Sequence, residues 1–505
     1  MVRQAINWYS TLFVYHRIPS VLVCCQAVTA WLFLNLEFTL RSIRLPLRDR
    51  PFTNSPDVFT GNIKQLRSLT YHAAAMRIIF GMLQQHATRL IIFLCCLFLT
   101  AWTLKKIYMH HSMNEAAWHS FTSSQKLTPL QTTETGWQYN ASRDADNYML
   151  SPAQCDAAFP DLYYEIDRSV DYWRARGGVQ KTDLSIAFAQ YGALRARIRK
   201  KQLYILEAKN FIVDPKKWGL KERGLATLHQ IQQAAMLVDN LPDVEFSVVT
   251  ADQTFDNAVV AEGDGIPHAA IWSYTRQVTN ESHDPFWVVP DFNFWAWGAI
   301  AGTYGDFRRE VMRPEKDVPL HQRIPKIVWR GVLWTNAAIR EALVRVSENK
   351  PWSDIEEVTW GTHGIIGSKI RAQEQCQYAM NAHTEGRSWS GRLKYLLNCH
   401  AVTFVHELDW TTFYYHLLRG SGPDQNVVSL SRDFHDLERN IDDLMKDTKK
   451  MQQIADNAAA TFRDRYITPA AVACYWRHLL VAYAEVSFRP QPDDEEQGIS
   501  FEEFL

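Results

Sequence analysis

The sequence predicts an α/β protein built from two doubly wound, Rossmann-like lobes that face each other across a cleft. In the first half of the body, residues 151–315, an amphipathic helix over 222–241 precedes a strand over 244–250 in which apolar residues alternate. In the second half, residues 316–487, strands and helices alternate repeatedly. Such alternation is typical of parallel sheets with helices on both faces.

The N-terminal region, residues 1–106, is predicted to lie at a membrane. Fifteen uncharged residues over 90–104 predict a transmembrane helix. Nineteen more over 18–36 are a second candidate, for which an interfacial segment is the alternative. Between them, residues 41–89 carry eight basic and two acidic side chains, which predicts a cytoplasmic stretch and a lumenal body after it.

A polar stretch over 107–150 is predicted to be a lumenal stem. Glycosylation sequons at Asn140 and Asn280 agree with a lumenal body in the endoplasmic reticulum or Golgi. Four cysteines of the body suggest two disulfides, with three connectivities open. They are Cys155, Cys376, Cys399 and Cys474.

Charge divides the chain unevenly and excludes one class of partner. Residues 1–110 contain 12 Lys and Arg against 3 Asp and Glu, whereas the remainder contains 42 against 52. Nucleic-acid binding depends on basic side chains that meet phosphates. The acidic body therefore argues against a nucleic-acid partner.

The second half is predicted to repeat strand and helix. The predicted strands are 325–329, 355–360, 378–382, 401–405 and 426–430. The predicted helices are 337–347, one from Gly391 with Ser390 as its N-cap, 411–418, 447–466 and 469–485. An acidic tail over 488–505 is predicted to be solvated.

Polar residues follow two of these strands, where ligands bind in open α/β sheets. After 325–329 come Arg330, Gly331 and Arg340; after 378–382 come Glu385, Ser388, Ser390 and Arg392. A single arginine is more often part of a surface ion pair. Three arginines at matching strand ends instead predict a diphosphate site, in which glycine lets the ligand approach the backbone.

In the first half, Asp252 follows the strand over 244–250 and is a candidate general base. The alternative is a turn or N-cap aspartate, and Asp256 is a rival for the same role. The aromatic segment over 284–298 could stack on sugars, although rings at that density usually form core.

Several strings together resemble the CAP10-like glycosyltransferases of family 90, which include fungal capsule-associated xylosyltransferases and animal protein O-glucosyltransferases. The match covers about 151–485. Its carriers are QCDAAFPDLYYEID, HAAIWSYTRQ, FWVVPDFNFWAWG, KIVWRG followed by Arg340, EGRSWSGRLKYLLNCHAVTF and the Asp409-Trp410 pair.

The resemblance implies a GT-B fold and inverting transfer of xylose or glucose from UDP-xylose or UDP-glucose to a hydroxyl of a glycan or glycoprotein. It implies no protein-bound metal. Arg330, Arg340, Ser390 and Arg392 would neutralise the diphosphate, and Asp252 would accept the proton of the acceptor hydroxyl. It also implies pairing of Cys376 with Cys399, and Cys155 with Cys474 would then tie the start of the body to its end. The alternative is an inactive lumenal lectin or chaperone-like protein on the same fold.

Overall fold

The computed structural model describes residues 136–189, 192–209, 219–252, 269–297, 301–313, 317–361, 364–366, 370–491 and 498–505. All of them lie in one compact unit, residues 132–505. The predicted membrane segments, most of the stem and Asp256 lie outside the described residues. Within the described part, no helix combines the length and apolar character needed to cross a membrane.

The first main sheet is mixed and has six strands in the order β17-β2-β1-β3-β4-β6. The pairs β17–β2, β2–β1 and β1–β3 are antiparallel, whereas β3–β4 and β4–β6 are parallel. The strands are β1 Ala193–Arg199, β2 Gln202–Lys209, β3 Val244–Val249, β4 Ile271–Ser273, β6 Trp287–Val288 and β17 Ile499–Ser500. The predicted strand over 244–250 is therefore present as β3.

The second main sheet is wholly parallel, in the order β10-β9-β13-β14-β16. Its strands are β9 Ile324–Gly331, β10 Ser353–Glu357, β13 Tyr378–His383, β14 Val402–His406 and β16 Val428–Leu430. Numbered along the chain, this order is 2-1-3-4-5, a doubly wound pattern that reverses direction between β9 and β13. The two sheets are consistent with two Rossmann-like lobes.

Six further short strands of the described residues form three two-stranded pairs, one of which joins the chain halves. They are β5 Arg276–Gln277, β7 Ala296–Trp297, β8 Gly302–Thr303, β11 Thr359–Gly361, β12 Gly364–Ile366 and the β5 partner β15 Trp410–Thr411. The predicted strand over 355–360 is thus divided between β10 and β11, because its second part turns into a hairpin with β12.

The helices that precede the second sheet are α1 Ala141–Asp144, α2 Pro152–Ala158, α3 Tyr164–Arg174, α4 Leu220–Leu237 and α5 Tyr304–Val311. Those between its strands are α6 Ala337–Ser347 and α7 Leu393–Leu397, and those after it are α8 Leu437–Lys446, α9 Thr448–Ala458, α10 Pro469–Val486 and α11 Phe501–Phe504. A π-helix, Ala459–Tyr466, continues α9. The predicted helices over 222–241, 337–347, 447–466 and 469–485 are present.

Two sequence predictions fail in the chain after residue 405. The helix predicted over 411–418 is wrong, since Trp410–Thr411 joins β5 as strand β15 and only Tyr415–Leu417 is helical, as one 3₁₀ turn. The tail predicted to be solvated adds β17 to the edge of β2 and buries Phe501. Burial of Phe501 and strand pairing with β2 hold the end of this segment on the sheet despite its acidic composition.

The largest apolar core packs α3, α4 and α10 against the first sheet and also takes in Leu393 and Leu397 of α7. A second core lies between the second sheet and α6, α8 and α9. Because α7 lies in the chain half of the second sheet, its packing in the larger core joins the halves. Both disulfides that the resemblance implied are present, Cys155–Cys474 and Cys376–Cys399.

Candidate active site

The candidate site lies at the carboxyl ends of β9 and β13. Neighbouring strands whose connections leave in opposite directions open a crevice between them, where ligands bind in doubly wound sheets. Arg340 follows β9, and the segment 384–392 follows β13. The fold therefore brings together the two chain stretches from which the sequence predicted an anion site.

Strand β9 continues to Gly331, two residues beyond its predicted end. Successive side chains of a strand point to opposite faces, so Trp329 and Gly331 share a face and Arg330 lies on the other. The indole of Trp329 occupies the space over Gly331, where an added Cβ would lie 2.5 Å from a ring carbon. In this structure the glycine accommodates tryptophan rather than a ligand.

Arg330 is buried and bonded to the neighbouring strand β10. Its Nη2 donates to Asp354 Oδ1 at 2.5 Å, and its Nη1 donates to the Asp354 carbonyl at 2.6 Å. Tyr378 donates to the other oxygen of the same carboxylate. The structure thus places Arg330 on the opposite face of β9 from Trp329, away from the other predicted arginines.

Arg340 of α6 is buried against the ends of both strands. Its Nη1 donates to the Val332 carbonyl at 2.7 Å, and its Nε donates to the Glu385 carbonyl at 2.9 Å. Burial, with a smaller effect of nearby Arg392, lowers the pKa of Arg340 to about 9, although Asp252 raises it. Arg340 therefore connects the two loops and lies within electrostatic reach of the candidate base.

Arg392 lies with Arg340 against the same indole ring. The guanidinium carbons of Arg392 and Arg340 are 5.7 and 5.9 Å from the centroid of the Trp329 ring. Among the described residues, no carboxylate forms a salt bridge with either guanidinium. Burial lowers the pKa of Arg392 to about 10. Arg340 is buried and Arg392 is half-buried. Two such cations without an acidic partner favour an anionic ligand.

Asp252 lies directly after β3 and contacts both halves of the chain. Its Oδ1 accepts a hydrogen bond from Arg223 Nη1 of α4 at 2.5 Å, while 45% of its side chain remains exposed. The hydroxyl of Ser388, from the second half, donates to the Asp252 carbonyl. Asp252 is thus held at its backbone and at one carboxylate oxygen.

Ser390 does not cap a helix. Helix α7 begins at Leu393, Arg392 occupies its N-cap position, and the Leu393 amide donates to the Ser390 carbonyl rather than to its hydroxyl. The prediction of a Ser390 N-cap is wrong because two turn residues separate the serine from the helix. With five residues, α7 is also too short for its terminus to serve as an anion site.

Glu385 is fully buried and organises the next loop. Its Oε1 accepts from the amides of Asp409 and Trp410, both at 2.9 Å, and its Oε2 lies 3.2 Å from Arg432 Nη2. Burial raises the pKa of Glu385 to about 7, against the lowering effect of those amides and of Arg432. Glu385 therefore positions the Asp409-Trp410 pair rather than facing a ligand.

His383, which the sequence did not single out, ends β13 beside the arginine pair. It is fully buried, and neither ring nitrogen has a hydrogen-bond partner among the described residues. Burial depresses its pKa far below the ordinary value, and His406, Arg392 and Arg340 lower it further. His383 is therefore neutral at physiological pH. The sequence carries no signal for His383, because the residues around it are distant in the chain and meet only in the folded structure.

A buried ion pair, also missed in the sequence, joins the halves next to the site. Lys394 Nζ of α7 lies 2.6 Å from both oxygens of Asp291. Asp291 belongs to the aromatic segment, whose Phe286, Trp287 and Phe292 are core. Burial lowers the pKa of Lys394 to about 8, although Asp291 raises it. Most of the aromatic segment is thus part of the core beside the site and is not placed to stack on sugars.

Within the described ranges, no group of three or more His, Cys, Asp or Glu side chains has a geometry that could hold a metal ion. The cationic groups of the site are Arg223, Arg340 and Arg392. This arrangement can bind a di-anion between Arg340 and Arg392 and can present a carboxylate oxygen of Asp252 to a second substrate.

No curated protein matched the sequence. The family model described as glycosyl transferase family 90 matches residues 154–503, which include both main sheets and every residue of the candidate site. The family implies a glycosyltransferase that uses a nucleotide-sugar donor. The chain belongs to glycosyl transferase family 90.

Proposed function

We propose that the protein transfers xylose or glucose, with inversion, from a UDP-sugar to a hydroxyl of a glycan or glycoprotein acceptor. The observation that carries this proposal is the pair Arg340 and Arg392, which lie against Trp329 without a carboxylate partner among the described residues. A nucleotide diphosphate would supply the negative charge that balances these two cations. A GT-B arrangement, with the donor on the second lobe, fits the position of this pair at the β9 and β13 ends.

Asp252 acts as the general base in the proposed reaction. As the acceptor oxygen attacks the anomeric carbon, the bond from that carbon to the UDP oxygen breaks. The acceptor proton passes to the Asp252 carboxylate, and the negative charge that develops on UDP is stabilised by Arg340 and Arg392. The bond between Arg223 and Oδ1 of Asp252 supports this role, because it leaves Oδ2 to meet the acceptor hydroxyl.

We propose a smaller set of donor-binding residues than the sequence predicts. Arg330 forms part of the sheet through Asp354, so its role in the proposal is to position β9. Ser388 supports the base through the Asp252 carbonyl, and Glu385 supports the loop that follows β14. Arg340 and Arg392 are then the residues proposed to touch the diphosphate.

The two disulfides suggest an oxidising compartment of the secretory pathway. We propose that the body faces the lumen of the endoplasmic reticulum or Golgi and that residues 90–104 anchor it in the membrane. The basic residues over 41–89 support this orientation.

Calorimetry of the full chain, expressed through a secretory route in detergent, tests the donor. The titrants are UDP, UDP-xylose, UDP-glucose and GDP-mannose. The proposal predicts that UDP binds and that one UDP-sugar binds more tightly than the other. Binding of GDP-mannose with equal affinity would contradict the proposed donor class. Binding of no nucleotide would contradict it too and would favour a sugar-binding protein without catalysis.

A further inference from the structure

Trp334 is exposed at the candidate site. It lies three residues after Gly331, and 50% of its surface is exposed. The guanidinium carbon of Arg387 is 5.2 Å from the centroid of its ring. These two side chains, called the ledge below, come from the separate loops that follow β9 and β13. An exposed tryptophan has a large apolar face, and covering that face with a ligand is energetically favourable.

The ledge is fixed by hydrogen bonds between its two loops. Asn336 Nδ2 donates to the Gly386 carbonyl at 3.1 Å, and Arg340 donates to the carbonyls of Val332 and Glu385. These bonds join the residues on either side of Trp334 to the residues just before Arg387. The two loops are therefore already ordered, so that ligand binding on the ledge would cost little conformational entropy.

The ledge lies on the side of the site where the proposed base is held. Arg387 directly precedes Ser388, whose hydroxyl donates to the Asp252 carbonyl. Consecutive Cα atoms are only about 3.8 Å apart. Arg340 and Arg392 lie against a different ring, that of Trp329. A substrate bound on the ledge would thus lie near Asp252 rather than in place of the diphosphate.

We propose that Trp334 and Arg387 form an acceptor subsite that stacks on a pyranose ring of the acceptor glycan, a proposal that rests on the proposed transferase function. The indole covers the apolar C–H face of the sugar. Arg387 donates hydrogen bonds to hydroxyl oxygens at the edge of the same ring. Two contacts of this kind fix the orientation of a sugar whose free hydroxyl must reach Asp252.

The subsite is tested with the full-length protein on an array of immobilised glycans, neutral and uronic-acid-containing, in parallel with UDP calorimetry. Trp334→Ala should weaken glycan retention about 10-fold, and Trp334→Phe should recover part of it, because a smaller ring still stacks. UDP affinity should not change in either variant. Met236→Ala, which removes a similarly exposed apolar side chain from α4, is the matched control.

Three results would overturn the subsite. The first is that wild-type protein retains no glycan. The second is that Trp334→Ala retains the same glycans equally well. The third is that Trp334→Ala weakens UDP binding and glycan binding by the same factor, which would assign the ledge to the donor. Failure of the transferase account gives a different result. In that case wild-type protein binds no UDP, whereas the dependence of glycan retention on Trp334 persists.

Discussion

Lys394 and Asp291 form a buried ion pair between α7 and the aromatic segment, with Nζ 2.6 Å from both carboxylate oxygens. Lys394 lies two residues after Arg392, so the pair fixes the position of the turn that carries that arginine. Gly391 in the same turn lies against Asn293, whose amide nitrogen would be 2.3 Å from an added Cβ. The strings PDFNF and SGRLKY, which carried the family resemblance, are therefore in contact.

Lys394→Met should destabilise the protein by about 3–5 kcal/mol, because it leaves the Asp291 carboxylate buried without its partner. Chemical denaturation with both disulfides intact measures the change in the free energy of unfolding. The double variant Asp291→Asn, Lys394→Met should be less destabilised than Lys394→Met alone. Equal destabilisation of the single and double variants would show that the charge pairing does not matter.

Asp252→Asn should reduce sugar transfer about 10²- to 10⁴-fold, since an amide cannot accept the acceptor proton. UDP affinity, measured by calorimetry, should remain within about twofold of wild type, because Arg340 and Arg392 are unchanged. The exposed Asp239→Asn serves as a control for loss of a carboxylate elsewhere. Wild-type transfer rates in Asp252→Asn would remove Asp252 from the chemistry and leave Asp256 as the next candidate.

The Glu385 carboxyl should make stability depend on pH between about 4.5 and 7. Its folded pKa of about 7 lies above its ordinary value. The folded state is thus favoured while the group is protonated, and this contribution is lost as pH rises through 7. The buried histidines His383 and His406 have lowered pKa values and act in the opposite direction as pH falls.

The difference between wild type and Glu385→Gln isolates the glutamate from those histidines. The free energy of unfolding of wild type, relative to the variant, should decrease by a few kcal/mol between pH 4.5 and 7.5, on the order of 1.4 kcal/mol for each unit of pKa shift. Urea denaturation at four pH values measures it. A difference that does not vary with pH would contradict the raised pKa of Glu385.

Transfer should not require a divalent metal ion, because Arg340 and Arg392 are placed to neutralise the diphosphate. Activity after dialysis against EDTA is therefore expected to equal activity before dialysis, and added Mn²⁺ or Mg²⁺ should change it less than twofold, as expected where arginines rather than a metal stabilise the leaving phosphate. Loss of activity in EDTA, with recovery on adding one metal, would show that the arginines are not sufficient.

Sequence patterns predicted the second sheet well because its strands are buried and its helices are amphipathic. The α6 bounds, Ala337–Ser347, agree with the prediction, and β13 and β14 lie where apolar runs placed them. The first sheet was less predictable. Strands β1 and β2 contain charged side chains at alternating positions, including Arg195 and Arg197, which are paired with Glu245 of β3 only in the folded sheet.

The candidate site shows the same limit at the scale of single residues. The sequence indicated that Arg330, Arg340 and Arg392 would lie near two strand ends. It could not show that β9 extends to Gly331. That extension brings Arg330 into the strand, where its side chain donates a hydrogen bond to Asp354 of β10. Nor could it show that Arg340 and Arg392 both contact Trp329, because that contact depends on how α6 and the loop after β13 pack.

The most direct test of the account compares UDP affinity in Arg392→Ala and Arg345→Ala, both in the full-length protein. Arg345 is an exposed arginine on α6, the helix that also carries Arg340, and therefore controls for a general loss of positive charge. Removing a charge-assisted contact to phosphate costs about 1.5–3 kcal/mol. The account predicts that Arg392→Ala raises the dissociation constant of UDP at least about 10-fold, while Arg345→Ala changes it less than about twofold. Equal UDP affinity in wild type and Arg392→Ala would contradict the claim that this arginine pair binds the diphosphate.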